Sequence, residues 1–213
     1  MLAKGATEKK LKKITLIRHG ALGVKYKGAF VGATDLPLST LGTQQAQALA
    51  SRLTIDPHTL IYSSPKKRAQ KTASILIGGD VSRLDVESNL REIDFGRWEC
   101  LHFQEIPLAD KHLVKEWYCN ANAFCFPEGE SVLSFIRRIS MFKEKLITKM
   151  NDVIIVAHGG VISVLICLLL GISTDHHIAF KISYGSVTTI EIDGDIGRLT
   201  CMNDQSHLEG IKL

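Results

Sequence analysis

Long apolar runs are missing from this chain. The longest, Val161 to Leu170, is well short of the ~20 residues a helix needs to cross a bilayer. It is read as a buried helix, and no membrane contact is expected. The first residues are polar and basic, without the apolar centre of a secretory signal. Cysteine is sparse: Cys100, Cys119, Cys125, Cys167 and Cys201. Their number is odd and no pair has Cys-x-x-Cys spacing. That excludes a disulfide framework as the expected fold device and fits a reducing, cytoplasmic setting. Charge excess is also small, at +4. Lys4, Lys9, Lys10, Lys12 and Lys13 cluster in the N-terminal tail, and the remainder is near neutral. Nucleic acid is therefore not an expected partner. Internal repeats and low-complexity linkers are absent.

What is present fits one globular domain. The chain has 213 residues, 45% hydrophobic and 23% charged, close to ordinary values for a folded domain. A basic tail over 1–13 and a single domain over 14–213 are expected. Short strands are predicted at 14–17, 59–62 and 153–157. Later strands are expected at 178–183, 187–192 and 198–202, with turns at Tyr184-Gly185 and Asp193-Gly194. Helical spacing predicts a helix over 43–53 behind an N-cap at Ser39. A second follows Ser63-Ser64-Pro65, with Ser64 as cap and Pro65 at its first position. A third runs from Ser131 to Lys149, and a fourth over 161–170. Residues 98–128 are read as a lid-like insertion with one or two helices. Strand–helix alternation predicts an α/β fold, a three-layer α/β/α sandwich with a mostly parallel central sheet.

Two strands end alike. Ile14-Thr15-Leu16-Ile17 runs into Arg18-His19-Gly20, and Val153 to Ala157 runs into His158-Gly159-Gly160. Side chains just past the C-terminal strand ends line the crevice of an open α/β sheet. Two imidazoles and an arginine should therefore meet. A neutral imidazole nitrogen attacks phosphorus well, and guanidinium groups suit a phosphate dianion. His19 is the candidate nucleophile. Arg18 and Arg68 are the candidate cage, Arg68 falling one turn into the second helix. His158 would steady the equatorial oxygens. Gly20 would free its N–H for a phosphate or for the imidazole, and Gly159-Gly160 would offer N–H groups to an anion. Lys66 and Lys67 read as surface charges. Glu92 is the candidate proton donor to the leaving oxygen, with Asp94 and Glu99 as competitors that spacing does not separate. His176-His177 read as surface residues near a loop, because adjacent histidines do not easily face one ion.

These pieces together resemble the histidine phosphatase, or phosphoglycerate-mutase-like, superfamily. The resemblance runs from about Ile14 to about Ile192. Further pieces are Gly32 to Ser39, Gly42, Gln45-Ala46, and Ser63-Ser64 with Arg68 to Ala73. Phe95-Gly96-Arg97-Trp98-Glu99 and Glu128-Gly129-Glu130-Ser131 complete it. It implies His19 as phosphorylated nucleophile, Glu92 as acid and base, and Arg18, Arg68 and His158 as phosphoryl-binding groups. It implies no metal and no organic cofactor, a small-molecule phosphate ester as partner, and a monomer or homodimer. Within the superfamily the chain looks most like the α-ribazole phosphatases, which act on α-ribazole 5′-phosphate in cobalamin assembly. The short insertion with Trp117-Tyr118-Cys119-Asn120 and the stretch Val161-Ile162-Ser163 support that branch, since mutases tend to carry arginine at position 163. A sugar-phosphate phosphatase, a mutase or a non-catalytic phospho-ligand module are the alternatives. Family loop residues are replaced at Ala21, Leu22, Lys25 and Ala29, which leaves Lys25 or Lys27 as candidate substitute anion contacts.

Overall fold

The two histidine-bearing runs lie side by side in one sheet. A computed structural model describes residues 11–211 of the chain. Its six strands are β1 (Lys12–Arg18), β2 (Leu60–Ser63), β3 (Leu84–Val86), β4 (Val153–Ala157), β5 (Val187–Asp193) and β6 (Ile196–Asp204). Their spatial order is β3-β2-β4-β1-β5-β6. The first four are mutually parallel; β5 runs antiparallel to β1, and β6 runs antiparallel to β5 at the edge. The α-helices are α1 (Thr40–Arg52), α2 (Lys67–Leu76), α3 (Lys111–Cys119), α4 (Val132–Ile147) and α5 (Gly159–Leu170). Short 3-10 turns fill much of the remainder.

Side-chain alternation along the strands builds the layers. Ile17 of β1, Ile61 of β2 and Ile154 and Val156 of β4 pack with Leu49 of α1 and Ala69, Ala73 and Leu76 of α2. Ile14, Leu16, Tyr62, Val153 and Ile155 face the opposite way, onto α4 and α5. That second core includes Phe135, Ile139, Phe142 and Leu146, one stripe of α4 at helical spacing. In α5 every side chain from Val161 to Cys167 is buried, as expected for a helix apolar on all sides. The result is the three-layer α/β/α sandwich with a mostly parallel sheet. No helix among the described residues is long and apolar enough to cross a membrane.

Several local expectations change. Lys12 and Lys13, read as tail, belong to β1, and Lys12 Nζ donates to the Leu146 carbonyl at 2.6 Å. Lys4, Lys9 and Lys10 lie outside the described residues. Ser39 caps α1 and Ser131 caps α4. Ser64 does not cap α2, whose first residue is Lys67 with Lys66 before it. The Ser64 hydroxyl instead meets His158 Nε2 at 2.7 Å. The expected strand 178–183 is absent; 174–179 form a 3-10 helix and 180–183 an irregular run. Phe180 and Ile182 alternate because both line a cavity, while Ile178 on its rim is 72% exposed. The short edge strand β3 has no counterpart among the expected strands. It has only three residues, two of them exposed, so it carries little apolar pattern.

Candidate active site

Strand register brings the histidines together. Ile17 pairs with Val156 and Arg18 with Ala157, so the next residue on each strand is a histidine. Their ring centroids lie 5.1 Å apart, edge to face. Strand β2 flanks β4 on its other side with Ser63 opposite Val156, which carries Ser64 to the second ring.

The tautomer of His19 follows from its one polar contact. Nδ1 lies 2.8 Å from the Gly20 carbonyl oxygen. A carbonyl only accepts, so Nδ1 carries the proton and Nε2 keeps its lone pair. Burial holds the ring's pKa well below 6.5, and the charges of Arg18 and Arg68 push it the same way. His158 is also held well below its ordinary value, by burial first and then by His19, Arg68 and Arg18. Both rings are therefore neutral. Arg68 Nε donates to His158 Nδ1 at 3.3 Å, so His158 Nε2 carries the proton given to Ser64.

Gly20 plays a different part from the one expected. Its N–H donates to Thr72 Oγ1 at 3.2 Å rather than to an anion or an imidazole. Its lack of a side chain permits close approach to α1, since a Cβ there would sit 2.2 Å from the Gly42 carbonyl oxygen.

The arginines are held by main chain and aromatic faces. Arg68 is the second residue of α2, not one turn in, and is fully buried. Its guanidinium donates to the carbonyls of Thr34 (2.8 Å), Gly32 (2.9 Å) and Val31 (3.3 Å). Arg18 donates to the Ile182 carbonyl at 2.5 Å. Its guanidinium carbon lies 3.8 Å from the Tyr184 ring centre, and its buried Nε has no hydrogen-bond partner among the described residues. Tyr184 also stands 5.4 Å from the His19 ring. The sequence marked Tyr184 only as a turn residue.

The three carboxylates separate in space. Glu99 accepts from the N–H groups of Gly32, Ala33, Thr34 and Phe95 and from the Thr34 hydroxyl. It thereby shapes the loop whose carbonyls hold Arg68. Asp94 accepts from Gly96 N–H at 2.8 Å and lines a neighbouring cavity that also includes Lys66 and Arg91. Glu92 Oε2 accepts from Gly160 N–H at 3.0 Å, beside the start of α5. Burial raises the Glu92 pKa, opposed by the Gly160 and Ile93 N–H groups and by Arg18 and Arg68. A Cβ on Gly160 would lie 2.6 Å from Glu92 Oε1, so only glycine leaves that carboxylate its place.

Arg18 and Glu92 share a cavity of about 360 Å³, a size usual for small-molecule sites. Its walls are largely apolar: Phe95, Trp117, Phe126, Phe135, Phe180 and Ile182. Gly159, Gly160, Ser163 and His177 also line it. His177 thus differs from the surface residue expected. Its Nδ1 lies 2.8 Å from the Thr174 carbonyl oxygen. His176, its neighbour, is exposed. Lys25 and Lys27 are both exposed, and Lys27 lines a separate cavity with Ala21, Leu22 and Tyr184.

Comparison with known proteins assigns the family. Residues 14–205 match the family model described as histidine phosphatase superfamily (branch 1). A protein of Hydrogenobacter thermophilus named "Putative phosphoserine phosphatase 2" is 32% identical over 198 residues, covering 92% of this chain and 98% of that one. The adenosylcobalamin/alpha-ribazole phosphatase of Escherichia coli K12 is 28% identical, covering 91% and 97%. The crystal structure of the alpha-ribazole phosphatase from Shigella flexneri superposes with a TM-score of 0.81 at 29% identity, covering 90% and 96%. The chain is a phosphatase and belongs to branch 1 of the histidine phosphatase superfamily.

Proposed function

We propose that the chain hydrolyses a phosphomonoester through a phosphohistidine at His19, and that its substrate is α-ribazole 5′-phosphate. The observation that carries the first part is the Nδ1 contact of His19 with the Gly20 carbonyl, which leaves Nε2 free to attack. In this reading the Nε2 lone pair forms a bond to phosphorus while the ester P–O bond breaks. Arg18, whose Nε lacks a partner among the described residues, takes charge developing on the phosphoryl oxygens. Arg68 and His158 complete the cage. Glu92, with its raised pKa, gives its proton to the leaving alkoxide and then takes one from water. That water attacks phosphorus, the P–N bond breaks, and inorganic phosphate leaves.

The cavity walls support the choice of substrate. α-Ribazole carries a methylated aromatic base on ribose. Trp117, Phe95, Phe126 and Phe180 offer it aromatic and apolar surface. Ser163 and His177 suit ribose hydroxyl groups. L-Phosphoserine favours a second reading, through the 32% identical relative of that name. Its amino acid end is doubly charged, and apolar walls match it poorly. Comparing kcat/KM for α-ribazole 5′-phosphate, L-phosphoserine and 3-phosphoglycerate tests the choice. The first should lead by at least about tenfold, the effect of one or two apolar contacts. A lead for phosphoserine would overturn it.

A further inference from the structure

The segment that carries Glu92 has almost no secondary structure of its own. Between the 3-10 turn Ser88–Leu90 and the one at Gly96–Trp98 it belongs to no strand or helix. Three carbonyls in and beside it, at Asn89, Arg91 and Glu92, receive their N–H groups from a single side chain. Arg138 of α4 donates through Nη1 to Asn89 (2.7 Å) and Arg91 (2.6 Å), and through Nη2 to Glu92 (3.1 Å). Its Nε and Nη2 also donate to the two carboxylate oxygens of Glu130, both at 2.8 Å. All five guanidinium N–H groups are engaged. Glu130 holds the far end: its own N–H donates to the Asp94 carbonyl at 2.9 Å, and its carboxylate accepts from Asp94 N–H at 3.4 Å.

We propose that Arg138 is a positioning residue for Glu92, with Glu130 as its counter-charge. This rests on the reading of Glu92 as the general acid. Only arginine offers five donors in one fixed plane, enough to hold three carbonyls and a carboxylate together. The guanidinium also lies 4.8 Å above the Phe135 ring. Phe135 borders the same cavity as Glu92 and stands against Gly160, so the clamp and the acid share one wall. A bare cation bonded to the carbonyl of Glu92 would favour that residue's ionised form. The bidentate Glu130 carboxylate offsets that charge, and the clamp fixes the acid while leaving it able to donate.

The full-length enzyme is assayed with an alkyl phosphomonoester, whose leaving group needs protonation, and with p-nitrophenyl phosphate, whose leaving group does not. Arg138→Gln should lower kcat for the alkyl ester by about ten- to 100-fold, the effect of a displaced catalytic group, and change the aryl ester little. Arg138→Lys keeps the charge and three donors and should fall between; it carries the test if Arg138→Gln does not fold. In a Glu92→Gln background, Arg138→Gln should add almost nothing for the alkyl ester, because the group it positions is gone. Equal losses on both substrates, or losses that add to those of Glu92→Gln, would show a purely structural role and overturn the proposal. If Glu92→Gln alone fails to discriminate between the substrates, the acid assignment falls and this inference falls with it.

Discussion

An imidazole attacks phosphorus only through an unprotonated nitrogen, and at His19 a single carbonyl decides which one that is. The neutral state has a consequence for pH. His19 and His158 are held well below 6.5 in the fold and return to about 6.5 when unfolded. Below that pH the unfolded chain binds more protons than the native one, so stability falls as acidity rises. NMR titration should find both rings neutral from pH 8 down through 6. A midpoint near 6.5 for either ring would contradict the account. Glu92 has the opposite sign. Its raised pKa means that the native state holds a proton the unfolded state has lost, so its contribution declines as pH rises through the native value. Glu92→Gln should therefore raise the melting temperature at neutral pH. The same variant should slow alkyl ester hydrolysis by about 10²–10⁴-fold. Gly160→Ala displaces the Glu92 carboxylate through a 2.6 Å contact and should cost about 10²-fold in kcat, with a far smaller change in melting temperature.

Elements place these groups, and two contacts between elements are open to test. The loop after β1 meets α1 where Gly20 and Gly42 touch backbone to backbone. Gly20→Ala should destabilise by about 1–3 kcal/mol, the usual effect of overpacking, as read by urea unfolding. No change would mean that the two backbones approach less closely than a Cβ contact of 2.2 Å implies. The segment 98–128 is pinned by Asp110, which accepts from Arg97 and from Trp98 Nε1 and whose pKa is lowered to about 2. It delivers Trp117 to the cavity. Trp117→Ala should raise KM for α-ribazole 5′-phosphate by about tenfold and leave L-phosphoserine unchanged; equal effects on both would argue against aromatic recognition. Elements also set what the sequence disclosed. The runs 14–17 and 153–157 are dominated by apolar residues and lead into His-Gly, so strands and site were legible together. The stripe of α4 was legible from its spacing. Residues 178–183 misled because cavity-facing residues also alternate. Arg138 gave no signal, and Glu99 was legible only as a candidate acid, since their partners are mostly backbone groups distant in the chain and residue types do not betray main-chain contacts. Tyr184 passed as a turn residue for a related reason: its stacking on Arg18 exists only once β1 and the 184–185 turn are adjacent.

At the scale of the whole molecule, one mostly parallel sheet gathers chemistry from five separate stretches. Arg18 and His19 come from the end of β1, Ser64 from just past β2, Arg68 from α2, Glu92 from an irregular segment, and His158 from the end of β4. Only folding joins them, and the proposed mechanism requires that His19 become phosphorylated. The direct measurement is rapid mixing of enzyme with ³²P-labelled phosphomonoester, denaturation in alkali, where phosphohistidine survives, and mapping of the labelled peptide. A label on the peptide containing His19, lost in acid and missing in His19→Ala, is the predicted result. Steady turnover with no trapped label, or a label that persists in His19→Ala, would contradict it.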